Sequence, residues 1–194
     1  KCGKRIGVAE FLSELCLGLT FALSFFAASL SNESLNTFLA GAPISYIVHF
    51  LILGLILVLA FLAIYDGIYG ELPTLFLIIA IILAFLICAL QFSLSSLLNV
   101  TLSVLILGGV YFILYFVSKG KWVGDGDWLL GVAIGLALGH PWLALLTLFL
   151  SNSLACVIMF PKTKGKNNKI PFGPFLVAAF FIVYAFSEFL LSML

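Results

Sequence analysis

The sequence predicts an all-α fold, a polytopic helical membrane protein with about seven transmembrane helices in this chain. Three observations predict it. Hydrophobic residues make up 64% of the chain and charged ones 9%, and the mean hydropathy is +1.30, far outside the range of soluble domains. The apolar residues gather into runs, such as Ile44 to Tyr65, long enough for spans of ~20 residues across a hydrocarbon core of ~30 Å. Those runs, LILGLILVLAFLAIY among them, lack the alternation of a membrane β-barrel, which leaves helices to satisfy the backbone polar groups inside lipid.

Residues 1–7, KCGKRIG, read as the end of a truncated cytoplasmic loop, because the chain begins with Lys rather than Met. Residues 8–194 form the transmembrane domain, with spans at 8–30, 44–65, 72–91, 97–117, 127–139, 142–160 and 171–194. The first carries Glu10 and Glu14 in its opening turns. Ser31 to Pro43 lacks Lys and Arg, as suits an outside loop. The second span stops at Asp66, and Gly67, Gly70 and Pro73 break the helix after it. A short turn near Ser93 to Ser96 separates the third and fourth spans. The fifth is short: as helix, Trp128 to Gly139 reaches about 18 Å at ~1.5 Å per residue. Either the polar loop before it dips below the headgroups or the membrane thins there. Trp142, after the turn at His140 and Pro141, suits an interfacial anchor.

The formal net charge of +1 says little, and nucleic acid is not expected as a partner; the placement of the nine basic residues says more. They lie at Lys1, Lys4 and Arg5, at Lys119 and Lys121, and from Lys162 to Lys169. These spans bring all of them to one face, which the positive-inside rule makes cytoplasmic, and both aspartate-bearing loops emerge on that face. Cys16, Cys88 and Cys156 lie in apolar segments as small fillers; Cys2 lies in the polar N-terminal stretch.

Two places could carry chemistry. GKWVGDGDWLLGVAIGLALG, Gly120 to Gly139, sets Asp125 and Asp127 between glycines at the mouth of an apolar segment, and YDGIYGELP, Tyr65 to Pro73, sets Asp66 at the end of another. Asp127 alone reads as a helix N-terminal cap. Asp66 falls at a helix C-terminus, the unfavourable end of the dipole for an anion, and so calls for a partner. Two carboxylates facing across a cleft share one proton, since like charges at close range do not both form; such a pair activates water and protonates a leaving amide nitrogen. Gly131, Gly135 and Gly139 line one stripe of the fifth helix and mark close packing in lipid. The glycines Gly67, Gly70, Gly124 and Gly126 are expected to lie in loops open to pairing with an extended peptide. His49 and Asn152 read as interhelical hydrogen-bonders, and Glu188 lies far from the candidate site.

Four motifs in order resemble the type IV prepilin peptidases, a GxGD-type membrane aspartic peptidase family acting on prepilins and type II secretion pseudopilins. They are Asp66 followed by Leu72-Pro73, Gly124-Asp125-Gly126-Asp127, the stretch IPFGPFL from Ile170 to Leu176, and CGKRI with Glu14-Leu15 after it. The resemblance covers nearly the whole chain. It implies a GxGD aspartic protease-like bundle in the cell inner (cytoplasmic) membrane, with Asp66 and Asp127 catalytic and Gly124, Asp125, Gly126, Leu72 and Pro73 supporting. It also implies a substrate: the junction between a basic leader and the apolar N-terminal helix of a prepilin, cut on the cytoplasmic side after glycine, with membrane lipid as the surroundings.

The chain departs from the family pattern in having Thr74 after Leu72-Pro73, where an aspartate is usual, and Leu129 where a lysine is usual. Peptidase activity of this kind needs no cofactor. Many members also methylate the new N-terminus with S-adenosylmethionine and bind zinc through cysteines of the cytoplasmic loop; of such a set this sequence offers Cys2 alone. Rival readings are another GxGD protease of the preflagellin-peptidase or presenilin type, and a small proton-coupled transporter using Asp66 and Asp127, although transporters place such groups near the midplane between inverted repeats.

Overall fold

The computed structural model describes Gly18 and residues 43–91, 96–120, 123–159 and 171–193. All of the span expected at 8–30 except Gly18 lies outside the described residues, as do Cys2 and the basic loop Lys162 to Lys169. Among the described residues all regular structure is helical. The helices are α1 (Pro43–Tyr69), α2 (Thr74–Leu90), α3 (Leu97–Val104), a π turn (Leu105–Gly109), α4 (Val110–Ser118), α5 (Asp125–Leu138), α6 (Pro141–Met159), α7 (Gly173–Ala185) and α8 (Ser187–Ser192). α3, the π turn and α4 form one continuous rod, Leu97–Ser118.

Local chemistry explains most of the boundaries. Pro43 and Pro141 open their helices, where a missing N–H leaves no bond unmade. Gly70, at φ 69°, ends α1 in a left-handed cap and donates its N–H to the Asp66 carbonyl at 2.8 Å. Gly139, at φ 61°, ends α5 the same way, donating to Gly135 O. The helix expected to stop at Asp66 therefore runs on to Tyr69. Gly67 is accommodated within it, since one glycine costs a helix only about 1 kcal/mol; the residue that stops the helix is the one whose φ is positive. At the other end of the chain, the stretch expected as one span at 171–194 is interrupted at Phe186, φ −104° and ψ 12°, between α7 and α8.

The bundle is dressed for lipid. Along α2, Leu77, Ala80, Ala84 and Ile87 turn inward, while Leu75, Ile78, Ile82 and Phe85 are 50–66% exposed. Alanines among the inward residues, with large apolar side chains covering the outside, suit a helix whose outer solvent is hydrocarbon. Among the described residues, three helices have the length and apolarity to cross a membrane: Ile47–Tyr69, Leu97–Ser118 and Pro141–Ile158.

α5 occupies the centre, packed against α2, α3, the π turn, α4, α6 and α7. Its eight buried residues run from Gly126 to Leu138. The helix has 14 residues, about 21 Å at ~1.5 Å per residue; its ends are set by Gly124 and the left-handed Gly139, and its sides are enclosed by neighbours. Gly131 and Gly135 of the glycine stripe pack as their spacing implies, whereas Gly139 falls outside the helix as its cap. A Cβ on Gly131 would lie 2.9 Å from Leu107 O, and one on Gly135 would lie 2.8 Å from Val104 Cα, so the two backbones touch. Ser103 Oγ adds a 2.8 Å hydrogen bond to Gly135 O.

Candidate active site

Asp66 lies in the last turn of α1 and is only 4% exposed, although Gly67 to Gly70 beyond it are exposed. Its Oδ2 accepts a 2.8 Å hydrogen bond from the Gly173 N–H. Gly173 is the first residue of α7, so this amide is one of the free donors that every helix N-terminus presents. The partner that an anion at a helix C-terminus requires is thus the positive end of a second helix. Contact is close enough that a Cβ on Gly173 would sit 2.8 Å from that same oxygen.

Asp127 is the third residue of α5 and is 6% exposed. Its Oδ2 accepts a 2.9 Å hydrogen bond from the Gly124 N–H, the reciprocal half of a capping box. Capping is therefore part of what Asp127 does, and the bond fixes the orientation of its carboxylate. The glycine before it has a separate task. A Cβ on Gly126 would lie 2.6 Å from Leu72 Cβ, so the start of α5 is pressed onto the Leu72–Pro73 turn that follows Asp66. That contact brings the two motifs to the same end of the bundle, where the charge of Asp66 reaches Asp127. Asp125 is exposed, and its charge reaches Asp127 as well.

Some expectations are corrected. Asp66 lies inside α1 and not in the loop after it, while Asp127 is in the first turn of α5, where the expected span began. Gly67 is inside α1, and Gly126 is buried inside α5, so neither is a loop residue; Gly70 and Gly124 lie outside the helices, exposed beside the site. Asn152 Nδ2 donates to Leu148 O at 2.8 Å within its own helix, and its side chain also reaches Tyr111 on α4, as expected of an interhelical hydrogen-bonder; its neighbour Ser151 contacts Tyr111 too, at 3.2 Å. Thr74 and Leu129 hold the positions of the missing family residues, Thr74 exposed at the start of α2 and Leu129 half-buried. Glu188 is exposed on α8.

Sequence reasoning passed over Gly173 as a contact of Asp66, and Tyr111 altogether. IPFGPFL carried the first signal, since a Gly-Pro pair opening a helix presents free amides. For Tyr111 the signal was fainter, a phenol within an apolar segment, whose hydroxyl must find a partner when buried.

The described residues offer no group of three or more His, Cys, Asp or Glu able to hold a metal ion. Cys88 and Cys156 are single free thiols on separate helices, unlike a zinc-binding cysteine set. The described residues do not fit a zinc site.

A family model for type IV leader peptidases matches residues 53–160, more than half of the 194-residue chain. The chain belongs to the type IV leader peptidase family. It is accordingly a peptidase, and its apolar helices make it a membrane protein. The part matched to type IV leader peptidases holds Asp66, Leu72, Pro73 and all of Gly124 to Asp127, and stops short of Gly173. Searches of curated proteins and of solved structures returned no match.

Proposed function

We propose that this chain is an aspartic endopeptidase that removes the leader from prepilin-like proteins at the cytoplasmic face of the inner membrane, with Asp66 and Asp127 as the catalytic pair. One observation carries the proposal: two buried carboxylates from different helices lie at one end of the bundle, where the charge of Asp66 reaches Asp127, and each is tied by one oxygen to a backbone amide. Groups held this way lose little entropy on reaching the reactive geometry.

In the proposed mechanism the pair carries one proton. The ionised aspartate takes a proton from water, the resulting hydroxide adds to the scissile carbonyl, and the protonated aspartate gives its proton to the leaving amide nitrogen. The Oδ1 atoms do this work, because Oδ2 of each carboxylate is engaged by Gly173 or Gly124. The exposed Gly70 and Gly124 flank the entrance for a peptide whose scissile bond has left its helix. In this reading seven spans surround the site, with α5 as the short central one, and Gly126, Asp125, Leu72 and Pro73 support it. No metal takes part in the peptide cleavage.

The test is cleavage of a prepilin carrying a basic leader ending in glycine and an apolar helix, in detergent or liposomes, by the wild type, Asp66→Asn and Asp127→Asn. Both variants should lose at least ~10³-fold in rate, the order seen when a chemical group is deleted from a catalytic unit. Full cleavage by either variant would overturn the assignment, and proton-coupled uptake lost with the same substitutions would point to the transporter reading instead.

A further inference from the structure

Tyr111 is the largest fully buried side chain among the described residues, 1% exposed, and it stands at the junction of three elements. It belongs to α4, its ring centroid lies 5.1 Å from that of Phe172, and its hydroxyl lies 3.2 Å from Ser151 Oγ on α6. The direction of that bond follows from proton count. Ser151 donates its only hydroxyl proton to Leu148 O at 3.0 Å, so Tyr111 is the donor to Ser151. Phe172 directly precedes Gly173, the residue whose amide holds Asp66. Tyr111 is also near enough to Asp127 to feel its charge.

The π turn explains how Tyr111 comes to point there. Ser103, Leu107 and Tyr111 are all at most 1% exposed and share the inward face of one rod. In an unbroken α-helix, eight residues at about 100° each would leave Tyr111 some 80° away from Ser103. A π turn closes wider rings and rotates the chain less per residue, and the one at Leu105–Gly109 removes that offset. It lies where α5 presses Gly131 onto Leu107 and Gly108. One face of the rod thus grips α5 through Ser103 and Leu107 and the α6–α7 side through Tyr111.

We propose that Tyr111 is a positioning residue of the site: its hydroxyl, donated to Ser151, and its ring, laid on Phe172, hold the turn bearing Gly173, and through it Asp66, in register with the helix that carries Asp127. The inference rests on the reading of Asp66 and Asp127 as the catalytic pair. Tyr111 touches neither substrate nor the reacting atoms; it acts on the separation of the two carboxylates.

The experiment measures steady-state cleavage of the same prepilin by the detergent-solubilised full chain as wild type, Tyr111→Phe, Ser151→Ala and the double variant, with Asp66→Asn as the inactive reference. Losing one hydrogen bond that sets the geometry should lower kcat about tenfold, with KM within about twofold of wild type. Because both substitutions break the same bond, the double variant should be no slower than the slower single one. Thermal unfolding in the same detergent separates the effect from loss of fold, and Ser151→Ala gives a second route should Tyr111→Phe fold poorly. An unchanged kcat in both single variants, a change confined to KM, or additive losses in the double variant would overturn the inference. In those cases an inactive Asp66→Asn would leave the peptidase reading standing, whereas an active one would sink that reading first.

Discussion

Gly173→Ala isolates the contact that joins a helix N-terminus to Asp66. An ideal Cβ at this position lies 2.8 Å from Asp66 Oδ2 and 3.3 Å from both Cβ and Cγ of the same side chain. To reach an ordinary contact near ~3.4 Å, the carboxylate must withdraw by about 0.6 Å. Asp66 is too short to swing aside on a long stem, so the withdrawal stretches its 2.8 Å bond from the Gly173 amide to the edge of hydrogen-bonding range. Two effects on stability oppose each other. Alanine favours helix over glycine by about 1 kcal/mol, and weakening a charged hydrogen bond costs about 1.5–3 kcal/mol, so the net loss is about 0.5–2 kcal/mol and the bundle should stay folded. Activity has no such compensation. A misplacement of 1 Å in a catalytic constellation costs about a hundredfold, so a shift of about half that should lower kcat by roughly tenfold or more. The assay is prepilin cleavage beside thermal unfolding in one detergent. Cleavage within twofold of wild type by a folded variant would refute the claim that the Gly173 amide orients Asp66.

Other substitutions test the packing around the site. Gly135→Ala sets a Cβ 2.8 Å from Val104 Cα and 3.0 Å from Ser103 O; backbone cannot step aside as a side chain can, so unfolding in detergent should show a loss of about 1–3 kcal/mol, and an unchanged melting temperature would contradict the close approach of α5 to the rod. Gly126→Ala meets Leu72 at 2.6 Å and should slow cleavage by parting the two motifs, while Gly67→Ala, whose nearest neighbour is Pro174 Cγ at 3.6 Å, should cleave at close to the wild-type rate. Equal losses in that pair would show that the glycines serve the peptide and not the packing.

Much of the site could be read from residues alone because membrane sequences carry few charges, and each is conspicuous. Asp66 and Asp127 stood out at the ends of apolar runs, and the dipole argument demanded a partner for Asp66 before any coordinates did. What the dipole argument did not supply was the identity of that partner. The spacing of Gly131 and Gly135 announced a packing stripe but not which backbone lies against it. The stop of α1 was misplaced by one turn because glycine is only a weak breaker, and whether Gly67 or Gly70 ends a helix depends on which of them adopts a positive φ.

By itself, the sequence determined that the chain is a helical bundle in lipid, that two aspartates stand at one end of it, and that α5 is short and small-faced. Those properties follow from composition, period and charge placement, which are local. Only the tertiary structure decided which neighbours enclose α5, that Gly173 from far along the chain holds Asp66, and that a π turn rotates Tyr111 onto Phe172 and Ser151. The physical reason is that lipid-facing and protein-facing apolar residues look alike in a sequence. Once outside and inside are equally apolar, the choice of neighbours rests on van der Waals fit and a few hydrogen bonds between distant segments, and these exist only when the helices are assembled.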